Sequence, residues 1–261
     1  APRAPGPGGA AGGCLARHFL TSPGLPANTP MVQRIAVSST IQSAWLSDTS
    51  VVAFANRDDF LFNTGPSAWR DAQKTSLRNI LDLHAGVDPR YAQGLVSLDA
   101  SGFIEQNIPT LSSYVPANGA VYPTGSFGQG TPADGQFFWE KIQELSQALA
   151  AFYQDLDGVG ANAFAGRTTV AVMSEFGRRF RENNDAGTDH GHGGVITVMG
   201  GPVVGGLYGA WPGLANDQLY DAADLDITTD FRRVLSEIVV GRLGNPNWQQ
   251  VFPGYSGYAP L

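Results

Sequence analysis

The stretch GRTTVAVMSEFGRR (residues 166–179) decides how the fold is read. Its TTVAVM core is β-branched and apolar, the composition of a buried strand. The strand runs out into Ser174, Glu175, Phe176 and Gly177, so polar groups are delivered where the backbone leaves the sheet. Before it, Phe138, Ile142, Leu145, Leu149, Phe152 and Leu156 recur at spacings of four and three. That spacing predicts an amphipathic helix of about five turns, long enough to pack across a sheet. After it, GVITVMGG (194–201) reads as a second strand. TTDFRRVLSEIVVGRLG (228–244) reads as a closing helix, with Thr229 as cap, Phe231, Leu235 and Ile238 on one face and Gly244 past its end.

The same alternation holds earlier in the chain. RIAVSST (34–40) and VVAFAN (51–56) read as strands. SAWRDAQKTSLRNILDLH (67–84) reads as a helix capped by Ser67, with Leu77, Ile80, Leu81 and His84 sharing a face. Residues 98–136 are rich in Gly, Pro, Ser and Asn and are expected to be mostly loop. Helices alternating with short apolar strands predict an α/β fold, a largely parallel sheet flanked by helices. In such sheets ligands lie beyond the C-terminal ends of the strands. A flexible Pro/Gly-rich segment over 1–12 and one α/β domain over 13–261 are expected.

Composition narrows the function classes. Of the 261 residues, 43% are hydrophobic and 15% charged, which suits a globular protein with a sizeable core. The net charge of −7 repels nucleic acid and anionic membrane, and no block of like charge gathers the sixteen Lys and Arg. Nucleic acid is therefore not an expected partner. No apolar run reaches the length of a membrane span. The lone cysteine, Cys14, allows neither a disulfide within the chain nor a thiolate metal cluster.

Chemistry concentrates in GTDHGHGG (187–194), which holds Asp189, His190 and His192, two of the chain's four histidines. In extended chain, residues i and i+2 point the same way, so His190 and His192 can reach one centre. The glycines around His192 allow a bend that brings in Asp189. Carboxylate plus imidazole suits zinc, iron or manganese better than calcium. A metal or phosphate site is one reading; side chains that simply hydrogen-bond a loop backbone are the other. Upstream, Glu175, Arg178 and Asn183 either belong to a solvated charged loop or support such a site, Arg178 being suited to bidentate contact with phosphate or sulfate.

The segments MSEFGRR, GTDHGHGG, GGLYGAWPGL and DLDITTDFRRVLSEI together resemble the family catalogued as domain of unknown function 1501, from about residue 12 onward. These are secreted bacterial proteins, often exported by the twin-arginine route and distantly similar to sulfatases and alkaline phosphatases. The resemblance implies an alkaline-phosphatase-like fold and periplasmic or secreted location. It also implies metal-dependent hydrolysis of phosphate or sulfate esters, with a small-molecule or polymer ester as substrate. Asp189 and His190 would be ligands of a divalent metal, zinc or another transition metal, with His192 a further candidate. Glu175, Arg178 and Asn183 would stand behind them or on the substrate.

The chain also departs from the family pattern. An early strand with a Gly-Gly-x-Asp-Gly-like loop is lacking, and GGCLARHF stands where the family has Gly-Trp-Leu-x-Arg. VYPTGSFGQ (121–129) resembles the segment before a Gly-Gly-Trp-Asp-Thr-His motif, and GTPADGQFFWEKI (130–142) the segment after it. A missing internal strand, and a break in the chain at Gln129–Gly130, are therefore expected. The alternative reading is a non-catalytic subunit of an extracellular or envelope assembly, with a partner chain, an N-terminal fragment or a second copy completing the fold. The aromatic tail NWQQVFPGYSGYAPL (247–261) is too apolar for a free end and is expected to pack on its own domain or a neighbour.

Overall fold

The computed structural model describes residues 12–23, 34–38, 40, 42–46, 48, 51–54, 58, 67–108, 114–123, 137–157, 164–184 and 187–260. The Gln129–Gly130 join and the segment over 1–12 that was expected to be flexible, apart from Gly12, lie outside them. The chain divides into two compact units, one of residues 1–114 and 243–256, the other of 115–242 and 257–261.

The first unit pairs the two ends of its own sequence. Helix α1 (Cys14–Thr21) buries Ala16 and His18, and helix α6 (Trp248–Val251) buries Val251, followed by the buried Phe252. The fully buried Asn245 ties them together. Its side-chain amide donates to the His18 carbonyl, to Thr21 Oγ1 and towards His18 Nδ1, each at 3.1 Å, while its Oδ1 accepts from Asn247 N at 3.0 Å. Arg17 Nε adds a bond to the Val251 carbonyl at 2.8 Å. The aromatic tail is thus anchored within its own chain at Val251 and Phe252. Strands β1 (Ile35–Val37) and β2 (Val52–Phe54) pair in parallel, Ala36 opposite Ala53.

Helix α2 (Arg70–His84) follows a single 3-10 turn at Ser67–Trp69, which stands where a Ser67 cap was expected. The turn after α2 leads into helix α3 (Pro89–Asn107), which corrects the expectation of loop from residue 98. Asp88 caps α3 by accepting from Arg90 N at 2.9 Å, and Pro89 occupies the first turn, where its missing N–H has no intrahelical acceptor anyway. The two helices run antiparallel: Lys74 pairs with Glu105, Arg78 with Asp99, and His84 lies 5.0 Å from Tyr91, ring to ring.

In the second unit, helix α4 (Phe137–Leu156) matches the periodicity expected for it. Asp155, near its end, accepts from Ala117 N at 2.6 Å and from the Tyr122 hydroxyl at 2.9 Å, which fastens residues 117–122 to the helix. Strand β3 (Thr169–Val172) pairs with β6 (Thr197–Gly200) antiparallel, Val170 opposite Met199. Between them, β4 (Gly177–Arg178) and β5 (His190–Gly191) form a second antiparallel pair. Helix α5 (Phe231–Glu237) is capped by Asp230, one residue beyond the expected Thr229, and continues into a π-helical turn over Ile238–Arg242. Arg242 of that turn donates to Thr169 Oγ1 at 3.1 Å, holding the start of β3.

The expected α/β architecture, a largely parallel alkaline-phosphatase-like sheet flanked by helices, is not what forms. Among the described residues the strands make three two-stranded sheets, one parallel and two antiparallel. A parallel pair needs a crossover of a dozen or more residues, usually a helix. The connection from β3 to β6 instead doubles back through β4 and β5, so β6 returns antiparallel. With no broad sheet among the described residues, the apolar stripe of α4 stays partly open, and Ile142 and Leu145 each remain 43% exposed.

Two outcomes follow. Burial, and next the Arg34 charge, hold the His18 imidazole below its ordinary value of 6.5. The unfolded chain therefore binds a proton there more readily than the folded one. The contribution is complete above pH 6.5 and is lost as pH falls from there through the depressed folded value. In urea titrations, wild type is expected to lose stability relative to His18→Gln between pH 7.5 and pH 5; parallel curves for the two proteins would contradict this. Second, Asp230→Ala removes the carboxylate that accepts from Arg232 N at 2.9 Å and is expected to cost about 0.5–2 kcal/mol by the same titration. Thr229→Ala is expected to cost less.

Candidate functional site

The region 174–194 is organised by backbone approach rather than by side-chain packing. A Cβ placed on Gly177 would lie 1.6 Å from the Gly193 carbonyl oxygen, and one on Gly191 would lie 2.4 Å from the Arg178 carbonyl carbon. Only glycine lets these strands come so close. The glycines around His192 therefore act as contact points between backbones as well as bends. Thr188 Oγ1 donates to the Arg179 carbonyl at 2.8 Å, and Arg179 N donates to the Asp189 carbonyl at 3.1 Å, extending the β4–β5 pairing.

This pairing sets Arg178 directly opposite His190. Residues so paired project from the same face of a ribbon with their Cβ atoms about 5 Å apart. Both pack on Phe176: the His190 ring stacks at 3.8 Å between centroids, and the Arg178 guanidinium lies 5.5 Å from the ring centre. Arg178 Nη1 also donates to the Thr188 carbonyl at 2.9 Å. The arginine and the imidazole are both exposed and held in place.

Asp189 is turned to a different partner. Its Oδ1 accepts from Asn183 Nδ2 at 2.9 Å, and Asn183 is itself fixed by exchange with Gly187, donating from its N to the Gly187 carbonyl at 2.9 Å and accepting on Oδ1 from Gly187 N at 3.0 Å. His192 stacks on Tyr220, 3.8 Å between centroids and 14° between planes. Glu175 is exposed on the turn between β3 and β4. Thus Arg178 and His190 come together, Asn183 and Asp189 come together, and His192 pairs elsewhere. Among the described residues, no three His, Cys, Asp or Glu side chains are grouped to hold a metal. Asp189, His190 and His192 each meet a different partner: Asn183, Phe176 and Tyr220.

The sequence reading missed Phe176, Tyr220 and Asp224. Phe176 sits inside the quoted SEFGRR motif, and its spacing before β4 was the available signal. Tyr220 and Asp224 reach the region only through the fold. The carboxylate of Asp224 faces Arg179 Nε at 3.4 Å, and Gly193 N donates to the Leu225 carbonyl at 2.8 Å, so residues 220–225 brace the paired strands from behind.

Residues 137–238, from α4 into the π-helical turn, match the profile of a family described as protein of unknown function, DUF1501. No curated protein and no solved structure matches the chain.

The glycine packing gives a direct test. Gly177→Ala forces a methyl group into the Gly193 carbonyl and is expected to destabilise the unit by about 1–3 kcal/mol, as overpacking does. Gly187→Ala, whose added Cβ would sit 3.7 Å from Asn183 Oδ1, is the control and is expected to be milder. Thermal denaturation of the two variants compares them; equal melting temperatures would count against the glycine contact.

Proposed function

We propose that this chain handles phosphate or sulfate esters outside the cytoplasm and binds the anionic group on the exposed face formed by Arg178 and His190. The observation that carries this reading is the register that places Arg178 opposite His190, with both groups braced on Phe176. A guanidinium offers a planar fork of donors that matches two oxygens of a phosphate or sulfate, and an imidazole beside it adds a further donor. The resemblance to domain of unknown function 1501 supports the ester class and the extracytoplasmic location.

In that resemblance a divalent transition metal, zinc by preference, would activate a nucleophile for hydrolysis. Asp189 and His190 are the donor types such an ion takes, but the described residues do not bring three donors to one point. A second reading, a non-catalytic subunit of an extracellular or envelope assembly, is favoured by one observation. The segment 203–214 exposes Val204, Leu207 and Trp211, with Leu207 fully exposed and Trp211 71% exposed. Apolar groups gathered on a surface mark contact sites for other molecules.

Isothermal titration with inorganic phosphate and sulfate tests the binding face. Arg178→Ala is expected to weaken binding roughly 10-fold or more, the scale of a lost charge-assisted contact. Equal affinity in the variant would refute the face. Elemental analysis and p-nitrophenyl phosphate turnover with added zinc separate the two readings. Bound metal that His190→Ala removes, with turnover, favours the hydrolase; neither metal nor turnover favours the subunit.

A further inference from the structure

We infer that the ester taken by this face is carried on a ring, and that the outward face of the stacked His192–Tyr220 pair is the surface on which that ring lies. The inference rests on the ester reading above and adds the class of the alcohol component. His192 is separated from His190 by Gly191 alone, so their Cα atoms lie within about 7 Å. That is the span of a small monoester, with its anionic group at one end and a ring at the other. His192 and Tyr220 stack face to face with their planes nearly parallel, 14° apart, and both are exposed, Tyr220 by 44%.

The pair is held rather than loose. Tyr220 opens a tight turn in which its N donates to the Asp224 carbonyl at 2.9 Å and its own carbonyl accepts from Asp224 N at 3.0 Å. Asp221 and Ala222 inside that turn have φ of 50° and 53°, a backbone region that side-chain-bearing residues seldom occupy. The strand region keeps it there: Phe180 N donates to the Ala223 carbonyl at 3.1 Å, and Arg181 Nη1 donates to the Ala222 carbonyl at 3.2 Å. A stacked pair presented by a fixed turn loses little freedom when a ring settles on its outward face. The net charge of −7 selects against a polyanion, so the ligand is a small ring-bearing monoester, glycosyl or aryl.

Matched ligand pairs test this by isothermal titration with the full chain. Phenylphosphonate is compared with propylphosphonate, and glucose 6-phosphate with glycerol 3-phosphate. At least one ring ligand is expected to bind roughly 10-fold tighter than its open-chain partner, the scale of stacking on an aromatic side chain. A gain confined to phenylphosphonate identifies an aryl ester, and one confined to glucose 6-phosphate a sugar ester. Tyr220→Leu is expected to bring the ratio to about one, while Tyr220→Phe keeps it. Ratios near one in wild type, or a ratio unmoved by Tyr220→Leu, overturn the ring platform and leave the ester face standing. Failure of all four ligands to bind overturns the ester face and the platform with it.

Discussion

The second unit depends on a contact that admits no side chain. Gly177 and Gly193 meet backbone to backbone, and Gly191 lies against Arg178 in the same way. Because those surfaces touch, β4 and β5 can pair over only two residues each and still fix the side chains they carry. Short ribbons are usually marginal. This one is held by contacts above and behind it, from Thr188 to Arg179 and from Gly193 to Leu225. Arg178 and His190 are the side chains that gain a defined position from it.

The direction of the chain follows from the same ribbon. Twenty-odd residues between β3 and β6 would suffice for a crossover helix and a parallel pair. They carry no helical period; they carry glycine, asparagine, arginine and histidine, which fold into the reversed pair instead. The apolar run at 169–172 was legible as a strand because β-branched residues leave little alternative. Its partner's direction was not, since an apolar strand looks the same whichever way its neighbour runs.

Helices divided along similar lines. Helix α4 was legible from its strict spacing. Helix α3 was not, because Gly94, Gly102 and its serines dilute the apolar face, although Asp88 and Pro89 stand at its start. At the candidate site, residue types in GTDHGHGG were legible and their partners were not. The period of two that suggested a common centre for His190 and His192 holds only along regular strand, and each ring finds an aromatic from a different part of the chain. Asp189 meets Asn183, six residues back, which spacing alone could not separate from a metal.

Asn245 has a consequence for the order of folding. It binds His18 and Thr21 across sequence separations of 227 and 224. On the ribosome, α1 emerges more than 220 residues before Asn245 and Val251 arrive to cover it. Most of the second unit is one continuous run, 115–242, and is complete before then. Closing so long a loop costs little more entropy than closing one of half the length, since the cost grows only logarithmically. It does cost time, during which the apolar face of α1 stays uncovered. The first unit is therefore the late-folding one, and shielding of the nascent α1 helix matters most for it.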